Sequence, residues 1–214
     1  MQQLTKGLLI AVEGIDGSGK STLAKNLYHY FNQQLPTLLT KEPGGTQLGQ
    51  QLRTIVQTQT ISLQPQAEYL LFAADRAQHF TDVIIPQLKK NMLIISDRMA
   101  DSSVAYQGYG RGLNISMIQS INTWVMQHRQ PDLIIYLKIP IAAAFDRVKK
   151  RKKLTTFEQE TKSFMQRVSD GFDMLYKSKK NAIIIDGMQT EVLTTQLAQQ
   201  AIETWINNQH LITN

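Results

Sequence analysis

The stretch from Gly14 to Ser21, GIDGSGKS, carries the clearest chemical signal in the sequence. It fits the pattern G-x-x-x-x-G-K-[ST], in which glycines let the backbone wrap a phosphate with its N–H groups pointing inward. In this pattern Lys20 reaches the β- and γ-phosphates of a nucleotide, and the Ser21 hydroxyl is offered to Mg²⁺. The motif indicates a bound nucleoside triphosphate. By itself it does not separate a kinase from a GTPase switch or a nucleic-acid motor.

A second pair of candidate residues, Asp97 and Arg98, follows the apolar run Met92–Ser96. Open α/β sheets bind their ligands at the carboxyl ends of the strands. There an aspartate is suited to hold Mg²⁺ or its waters, and an arginine presents a planar fork that matches phosphate oxygens. The alternative is a purely structural ion pair, and the preceding phosphate motif favours the functional interpretation.

Phe72 and Arg76 lie one helical turn apart and share a face of a predicted helix. An aromatic plane beside a guanidinium can stack a base and donate hydrogen bonds to its carbonyl, although Phe72 is equally suited to a core. Arg53 is a candidate for a second phosphate contact, with a solvated surface arginine as the alternative. Hydroxyl and amide groups suited to a base edge or a sugar follow at Ser102–Ser103 and Ala105–Gly108, where a capped turn is the alternative.

These residues belong to a chain in which short apolar runs alternate with longer helical patterns. The runs predicted to be buried strands are Leu8–Val12, Thr37–Thr40, Met92–Ser96, Leu133–Ile139 and Ala182–Ile185. The longer helices are predicted over Gln66–Lys90, with an irregularity near Pro86, and over Asn114–His128. A last helix is predicted from the spacing of Leu193, Leu197, Ala201 and Trp205. The alternation predicts an α/β fold with a parallel sheet covered on both faces.

The composition limits the class of protein. A length of 214 residues without an interdomain linker suits a single domain over residues 1–214. With 42% hydrophobic residues, and no apolar run near the roughly 20 residues of a membrane helix, wholesale disorder and membrane spanning are excluded. The chain has no cysteine, so disulfides and thiolate chemistry are excluded as well. Because the N-terminus also lacks a signal-peptide pattern, we expect a cytoplasmic protein.

The positive charge of the chain is concentrated in one place. The formal net charge is +6, but Lys149–Lys153 is a run of five consecutive basic residues, and without it the balance is +1. We interpret this run as a mobile loop between two helices. The composition therefore does not indicate an overall positive field of the kind that binds duplex DNA.

Together these motifs resemble those of the thymidylate kinase family of P-loop nucleoside monophosphate kinases. The resemblance depends on Glu13–Thr22, Glu42–Thr46, Arg53, Leu70–His79, Asp97–Arg98 and Ser102–Gly108. Phe-Ala-Ala-Asp-Arg combined with Ala-Tyr-Gln-Gly is specific to this family among nucleotide kinases. The resemblance implies a P-loop NTPase three-layer fold with a five-stranded parallel sheet flanked by helices, Mg²⁺ together with ATP, and a homodimer.

The resemblance also implies roles for individual residues. The implied ATP site consists of Gly14, Ile15, Asp16, Gly17, Ser18, Gly19, Lys20, Ser21 and Thr22. The implied dTMP site consists of Arg53, Phe72, Arg76, Arg98, Ser102, Tyr106 and Gln107. In it Phe72 stacks on thymine, while Arg76 and Gln107 address the base. Arg53 and Arg98 hold the phosphate, and Tyr106 lies beneath the deoxyribose. Ser21 and Asp97 are the implied metal ligands.

The catalytic group implied by the family consists of Lys20, Asp16, Arg98 and a cation from a lid. Phosphoryl transfer needs positive charge around the migrating group, and the variable positions of the phosphate motif supply none. A lid segment at about 147–160 is the family's other source of this charge. Of its two arginines, Arg147 and Arg151, we predict that Arg151 makes the contact; a solvated loop is the alternative.

These expectations converge on transfer of the γ-phosphoryl group of Mg·ATP to dTMP, which gives dTDP and ADP in dTTP synthesis. The alternatives are a kinase for another pyrimidine monophosphate such as dUMP and, from a different class, a nucleic-acid-stimulated P-loop ATPase. A GTPase switch is disfavoured because the sequence has no Asn-Lys-x-Asp segment for reading guanine. The expected partners are ATP and dTMP, with no nucleic acid and no membrane.

Overall fold

The computed structural model describes residues 2–58, 62–150 and 155–213. The strands are β1 (Gln3–Leu4), β2 (Leu8–Glu13), β3 (Thr37–Lys41), β4 (Leu93–Asp97), β5 (Leu133–Lys138), β6 (Ala182–Asp186) and β7 (Ile212–Thr213). The α-helices are α1 (Lys20–Phe31), α2 (Gln47–Gln57), α3 (Pro65–His79), α4 (Ile85–Leu88), α5 (Ala100–Ser103), α6 (Ile115–Val125), α7 (Ile141–Lys149), α8 (Lys162–Tyr176) and α9 (Glu191–Asn208). π-Helical turns follow α3 and α5, at Phe80–Ile84 and Val104–Gly110.

A five-stranded parallel sheet in the order β3-β4-β2-β5-β6 forms the centre of the fold. All six residues of β2 are buried, as expected for a strand with a neighbour on each side and helices on both faces. Leu8 pairs with Leu93 of β4, and Ile10 pairs with Leu133 of β5. The predicted α/β class and all five predicted strands are confirmed.

Alternate residues of β2 point into two separate hydrophobic cores. Leu8 and Ile10 belong to a core with α1 and α9, whereas Leu9 belongs to the core that includes Phe80 and Phe172 on the other face. A parallel strand buried on both faces shows this continuous apolar pattern because its side chains alternate between the two layers. The architecture therefore has three layers, with the sheet between two sets of helices.

The helix predicted over Gln66–Lys90 is interrupted where the sequence indicated. Helix α3 passes into the π-helical turn at Phe80–Ile84, and α4 begins at Ile85, directly before Pro86. Proline has no N–H to donate, and its ring clashes with the carbonyl four residues earlier, so a regular helix cannot continue there. The predicted helix at Asn114–His128 is shorter, because Asn114 is its N-cap and α6 ends at Val125.

The buried face of α9 differs from the predicted apolar stripe by one residue. The helix buries Thr194, Ala198, Ile202 and Ile206, whereas Leu193 and Leu197 are each 40% exposed. Helix α9 packs against α1 and β6, and this packing buries the stripe that lies one residue further along the chain than the predicted one. No helix within the described ranges is long and apolar enough to cross a membrane.

Helix α7 ends at Lys149, the first residue of the basic run Lys149–Lys153. Arg151, Lys152, Lys153 and Leu154 lie outside the described residues. The chain is described again from Thr155, where a 3₁₀ turn at Phe157–Gln159 leads towards α8.

Candidate functional site

A cavity at the carboxyl ends of β2, β3 and β4 brings together most of the residues predicted to bind or react. The predicted residues that line it are Asp16, Lys20, Ser21, Arg53, Phe72, Arg76, Asp97, Arg98, Ser102, Tyr106 and Gln107. They come from strand ends and from five helical segments, so only the folded chain places them in one cavity. Three further predicted residues, Ser18, Gly19 and Thr22, line a second cavity on another side of the phosphate motif.

The phosphate-binding loop connects the end of β2 to the start of α1. Gly17 and Gly19 have φ values of 85° and 98°, in the left-handed region where a side chain is strained. At Gly17 a Cβ atom would also lie 2.6 Å from the Ala144 carbonyl oxygen of α7. The loop backbone therefore requires glycine here. The Ile15 side chain, in contrast, belongs to the core and is 2% exposed, so this residue has only its backbone to offer a nucleotide.

Lys20 is buried and turned back over this loop. Its Nζ atom donates to the Ile15 carbonyl oxygen at 3.3 Å and to Asp16 Oδ1 at 3.4 Å. Burial, together with the nearby Arg98 guanidinium, lowers the pKa of Lys20 from its usual value. An ammonium group held beside the loop in this way is positioned to bind phosphate oxygens.

Asp16 forms an ionic network with Lys20, Arg98 and Tyr106. Its Oδ1 atom also accepts from Arg98 Nη2 at 2.6 Å, and its Oδ2 atom accepts from the Tyr106 hydroxyl at 2.9 Å. Burial acts to raise the pKa of Asp16, but the charges of Arg98 and Lys20 hold it well below its usual range. The carboxylate is therefore ionised and holds two cations at the edge of the cavity.

The guanidinium of Arg98 is fixed by the protein on several sides. Nη1 donates to the Gly14 carbonyl oxygen at 2.9 Å and to Ser102 Oγ at 3.0 Å, and the group lies 5.1 Å from the centre of the Tyr106 ring. The backbone of Arg98 has a φ of 72°, which is unfavourable for a residue with a side chain. Such strain is concentrated at functional sites, where the surrounding structure maintains it.

Glu13 belongs to the stretch that carries the family resemblance, but no role was predicted for it. In the structure it accepts hydrogen bonds from the residues that follow the strained Arg98. Its Oε1 atom accepts from the Met99 N–H at 2.8 Å, and its Oε2 atom accepts from Ser102 Oγ at 2.6 Å. Burial raises the pKa of Glu13 to about 7. Its position directly before the glycine motif was the available signal for its importance.

Asp97 is the candidate metal ligand with the clearest structural signature. Its Oδ1 atom is buried and has no hydrogen-bond partner among the described residues. An uncompensated carboxylate oxygen facing the same cavity as Ser21 fits a cation. No group of three or more Asp, Glu, His or Cys side chains within the described residues can hold a metal alone. The donor set suits Mg²⁺, which is bound by one or two protein oxygens together with substrate phosphates.

Arg76 is 2% exposed and reaches the cavity from α3. Its Nε donates to Glu42 Oε2 at 2.8 Å, Nη1 donates to Asn122 Oδ1 at 2.8 Å, and Nη2 donates to Ser103 Oγ at 3.1 Å. Burial acts to raise the pKa of Glu42, but the Arg76 charge holds it below its usual value. Glu42 and Asn122 thus fix a donor-only group at the wall where a base would lie.

The aromatic wall of the cavity includes a residue from the predicted lid segment. Phe72 is half-buried, and its ring centroid lies 5.8 Å from that of Phe157. Phe157 also lies edge-on to the Tyr106 ring, with 5.8 Å between the ring centroids. Phe157 was not predicted as a site residue, because only the basic charge of the lid segment stands out in the sequence.

Arg53, also half-buried, donates to the Pro43 carbonyl oxygen at 2.8 Å.

The lid arginine predicted to reach the phosphoryl group, Arg151, lies outside the described residues. The other arginine of the segment, Arg147, donates to the Ser18 carbonyl oxygen at 3.3 Å and to the Gly187 carbonyl oxygen at 2.9 Å. It therefore ties α7 to the phosphate-binding loop and to the turn after β6. This contact pairs residues that are distant in sequence, so residue spacing did not indicate it.

A family model, several relatives and a solved structure match this chain. The family model described as Thymidylate kinase matches residues 12–197. The chain is 38% identical over 180 residues to the thymidylate kinase of Carboxydothermus hydrogenoformans, covering 84% of this chain and 89% of the relative. It is 39% identical over 196 residues to that of Kosmotoga olearia, covering 90% and 94%. The crystal structure of the Ehrlichia chaffeensis thymidylate kinase superposes with a TM-score of 0.75 at 29% identity, covering 92% of this chain and 99% of that one.

Proposed function

Since the chain belongs to the thymidylate kinase family, we infer that it is a dTMP kinase, which transfers a phosphoryl group from ATP to dTMP and so gives dTDP and ADP in dTTP synthesis. The observation that carries this inference is the shared cavity. It joins Lys20 of the phosphate-binding loop to Phe72, Arg76 and Gln107, a group suited to a base. One cavity can therefore hold the donor phosphates and the acceptor together.

The arrangement supports catalysis by positioning and charge neutralisation. Lys20 is placed for the β- and γ-phosphates of ATP, and Arg98 and Arg53 are placed for the acceptor phosphate. That phosphate is already ionised near neutral pH, so no strong general base is required. Asp16 keeps Lys20 and Arg98 next to each other, and Tyr106 closes the floor of the acceptor site. Phe72 and Phe157 exclude water from the base.

Ser21 and Asp97 are the residues that would hold Mg²⁺. When bound, this ion would supply positive charge that offsets the negative charge developing on the phosphate oxygens during transfer. The unpartnered Oδ1 atom of Asp97 supports this assignment.

We also propose that the whole chain is one kinase domain with a lid at about 147–160, from which Arg151 supplies a further cation. The described end of this segment, at Phe157, already lines the cavity. If Arg151 serves the transferring group, Arg151→Ala lowers kcat, whereas the neighbouring Lys152→Ala does not. Equal kcat values for the two variants would contradict this assignment of Arg151.

Release of ADP from Mg·ATP tests the proposed reaction. We expect strong activity with dTMP, weak activity with dUMP, and little with dGMP, CMP, AMP or no acceptor. The methyl group that dUMP lacks provides only about 1–3 kcal/mol of discrimination, so dUMP is expected to be a poor substrate and not an inert one. Activity that ignores the monophosphate but responds to DNA or RNA would support the nucleic-acid-stimulated ATPase instead.

A homodimer is proposed for the assembly. Large apolar side chains are exposed on α2, α3 and α6, where α3 packs against the other two helices. They are Leu48 at 42%, Leu70 at 55%, Met117 at 62% and Trp124 at 73% exposure. Sedimentation velocity tests this proposal: Trp124→Glu is expected to yield monomers, and the control Met174→Glu on α8 is expected to leave the dimer intact.

The cytoplasm, where ATP and nucleotide precursors are present, is the proposed location. Neither a nucleic acid nor a membrane is required for the reaction. Unchanged ATP turnover on addition of duplex DNA at low salt is the expected result.

A further inference from the structure

The side-chain amide of Gln107 is held in one orientation. Its Nε2 atom donates to Glu68 Oε1 at 2.9 Å, and the two side chains are buried, with the residues 2% and 5% exposed. An ionised carboxylate can only accept hydrogen bonds, so the amide nitrogen must face Glu68 and the amide oxygen must face away from it. Gln107 lines the nucleotide cavity and Glu68 does not, which places the carboxylate behind the amide.

Arg111 keeps Glu68 in this position. Its Nη2 atom donates to Glu68 Oε2 at 3.0 Å, and its Nε atom donates to Glu68 Oε1 at 3.3 Å. The guanidinium also pairs with Glu160 at 2.7 Å and lies 4.5 Å from the centre of the Phe164 ring. Because arginine is donor-only, both oxygens of Glu68 remain acceptors, and the amide of Gln107 cannot reverse without losing its hydrogen bond.

We propose that Glu68 is a positioning residue that sets base specificity by turning the Gln107 oxygen towards the acceptor base. An acceptor at this point selects a pyrimidine with a hydrogen on N3, as in thymine and uracil. Cytosine has a lone pair there and is rejected. Arg76, a donor-only group in the same cavity, matches a ring carbonyl and opposes an exocyclic amine. The inference rests on the proposed function, since it names the base class taken by the same site.

The substitution Glu68→Gln tests this role. A glutamine can present either its oxygen or its nitrogen, so the neighbouring amide becomes free to reverse. The test compares dTMP with 5-methyl-dCMP, which has the same shape and the same methyl group. Its hydrogen-bonding pattern is the opposite, with an acceptor at N3 and a donor at the 4-position. We expect the ratio of kcat/KM values for dTMP over 5-methyl-dCMP to fall at least about tenfold. The ratio should still favour dTMP, because the donor-only Arg76 remains unfavourable for the exocyclic amine of 5-methyl-dCMP.

Two matched variants separate specificity from simple structural support. Glu160→Gln removes the other carboxylate bound to Arg111 without touching Gln107, and it should leave the ratio unchanged. Glu68→Asp retains an acceptor-only group, so its ratio should stay near that of the wild type even if both rates decrease. If Glu68→Gln lowers both rates equally, or if Glu160→Gln shifts the ratio as much, the proposal is wrong.

The proposed function and this inference can fail separately. A wild-type enzyme without dTMP activity would overturn the function, whereas an active enzyme with an unchanged ratio in Glu68→Gln would overturn only the role of Glu68. A wild-type measurement keeps the inference testable even if that variant does not fold. One side-chain amide proton of Gln107 should exchange slowly with solvent by NMR, and equally fast exchange of both protons would contradict the proposal.

Discussion

Two cations bind to one carboxylate oxygen at the edge of the cavity. Lys20 and Arg98 both contact Asp16 Oδ1, so two positive charges are held close together before any phosphate is present. A bound phosphate adds negative charge to a site that is already organised, which reduces the reorganisation needed during transfer. This placement explains the use of an acidic residue inside a loop that binds anions.

Lys20→Ala is expected to lower kcat by at least about 100-fold, since removal of a preorganised charge-stabilising group typically has this effect. Initial rates with saturating Mg·ATP and dTMP measure it. Calorimetric binding of dTMP is the control, because the base-facing side of the cavity should be unchanged. Near-normal turnover in this variant would exclude the assigned role.

Asp16→Asn leaves Lys20 and Arg98 close together without the negative charge that offsets their mutual repulsion. We expect kcat to fall and the free energy of unfolding to decrease by about 3 kcal/mol, as for loss of one partner of a buried ion pair. Urea unfolding and steady-state rates measure the two effects. An unchanged stability would mean that solvent already screens these charges.

Glu13 makes stability depend on pH in a defined direction. Its pKa is raised from 4.5 to about 7 in the folded protein, so between these values only the unfolded chain loses the proton. The free energy of unfolding therefore falls as pH rises through this window, by about 3 kcal/mol in all. Glu13→Gln removes this contribution. In urea titrations the stability of the wild type should fall between pH 5 and pH 8 relative to that of the variant. Parallel pH profiles of the two proteins would contradict the raised pKa of Glu13.

At this scale the sequence predicts residues within motifs better than their supporting partners. The phosphate motif identified Lys20 and Asp16 because their spacing is a local property. Glu68 and Asn122 have no such signal, since their partners Gln107 and Arg76 lie 39 and 46 positions away in the chain. Only the packing of α3, the π-helical turn and α6 brings these groups together.

The elements around the loop fit against it closely. Helix α7 lies so near Gly17 that its Ala144 carbonyl occupies the space a side chain would need, and Arg147 from the same helix bonds to the loop. Strand and helix positions were predictable from apolar periodicity. The buried face of α9 was not predictable, because two adjacent stripes of the helix are both largely apolar and only the contact with α1 and β6 determines which one is buried.

A pair of glycine substitutions measures this contact between loop and helix. Gly17 and Gly112 have similar φ values of 85° and 81°, but nothing lies within 4 Å of a Cβ atom at Gly112. Gly112→Ala should cost only the backbone strain, about 1 kcal/mol. Gly17→Ala should cost about 3 kcal/mol and weaken ATP binding, because its Cβ atom also meets Ala144. Thermal unfolding and ATP titration compare the two variants. Equal losses of stability and of ATP affinity would show that α7 shifts away from the added Cβ atom at little cost.

Across the whole molecule, the paired chain termini and the candidate site lie at opposite ends of the central sheet. The terminal strands β1 and β7 pair with each other, and Leu4 and Leu211 join the core that includes Leu8 at the start of β2. The site residues follow the carboxyl ends of the strands. This separation was not predictable, since two-residue strands carry no periodic pattern.

Leu211→Ala should therefore destabilise the protein without altering the reaction. A buried leucine truncated to alanine typically costs about 2–5 kcal/mol, and Leu211 is 7% exposed. Denaturant unfolding should show the loss, while KM values for ATP and dTMP at 25 °C stay the same. A changed KM would reveal coupling between the two ends of the sheet.

The central place of β2 has a consequence for how the chain is made. This strand is synthesised early, but its two edges stay unpaired until β4 and β5 have been synthesised. Leu8 pairs with Leu93 of β4, and Ile10 pairs with Leu133 of β5. Until then an apolar strand has two open edges, a state prone to association with other chains. The phosphate-binding loop at its end has no partner from α7 during this interval. We therefore expect ATP binding only once α7, which ends at Lys149, has been synthesised, and shorter fragments of the chain should neither bind nor hydrolyse the nucleotide.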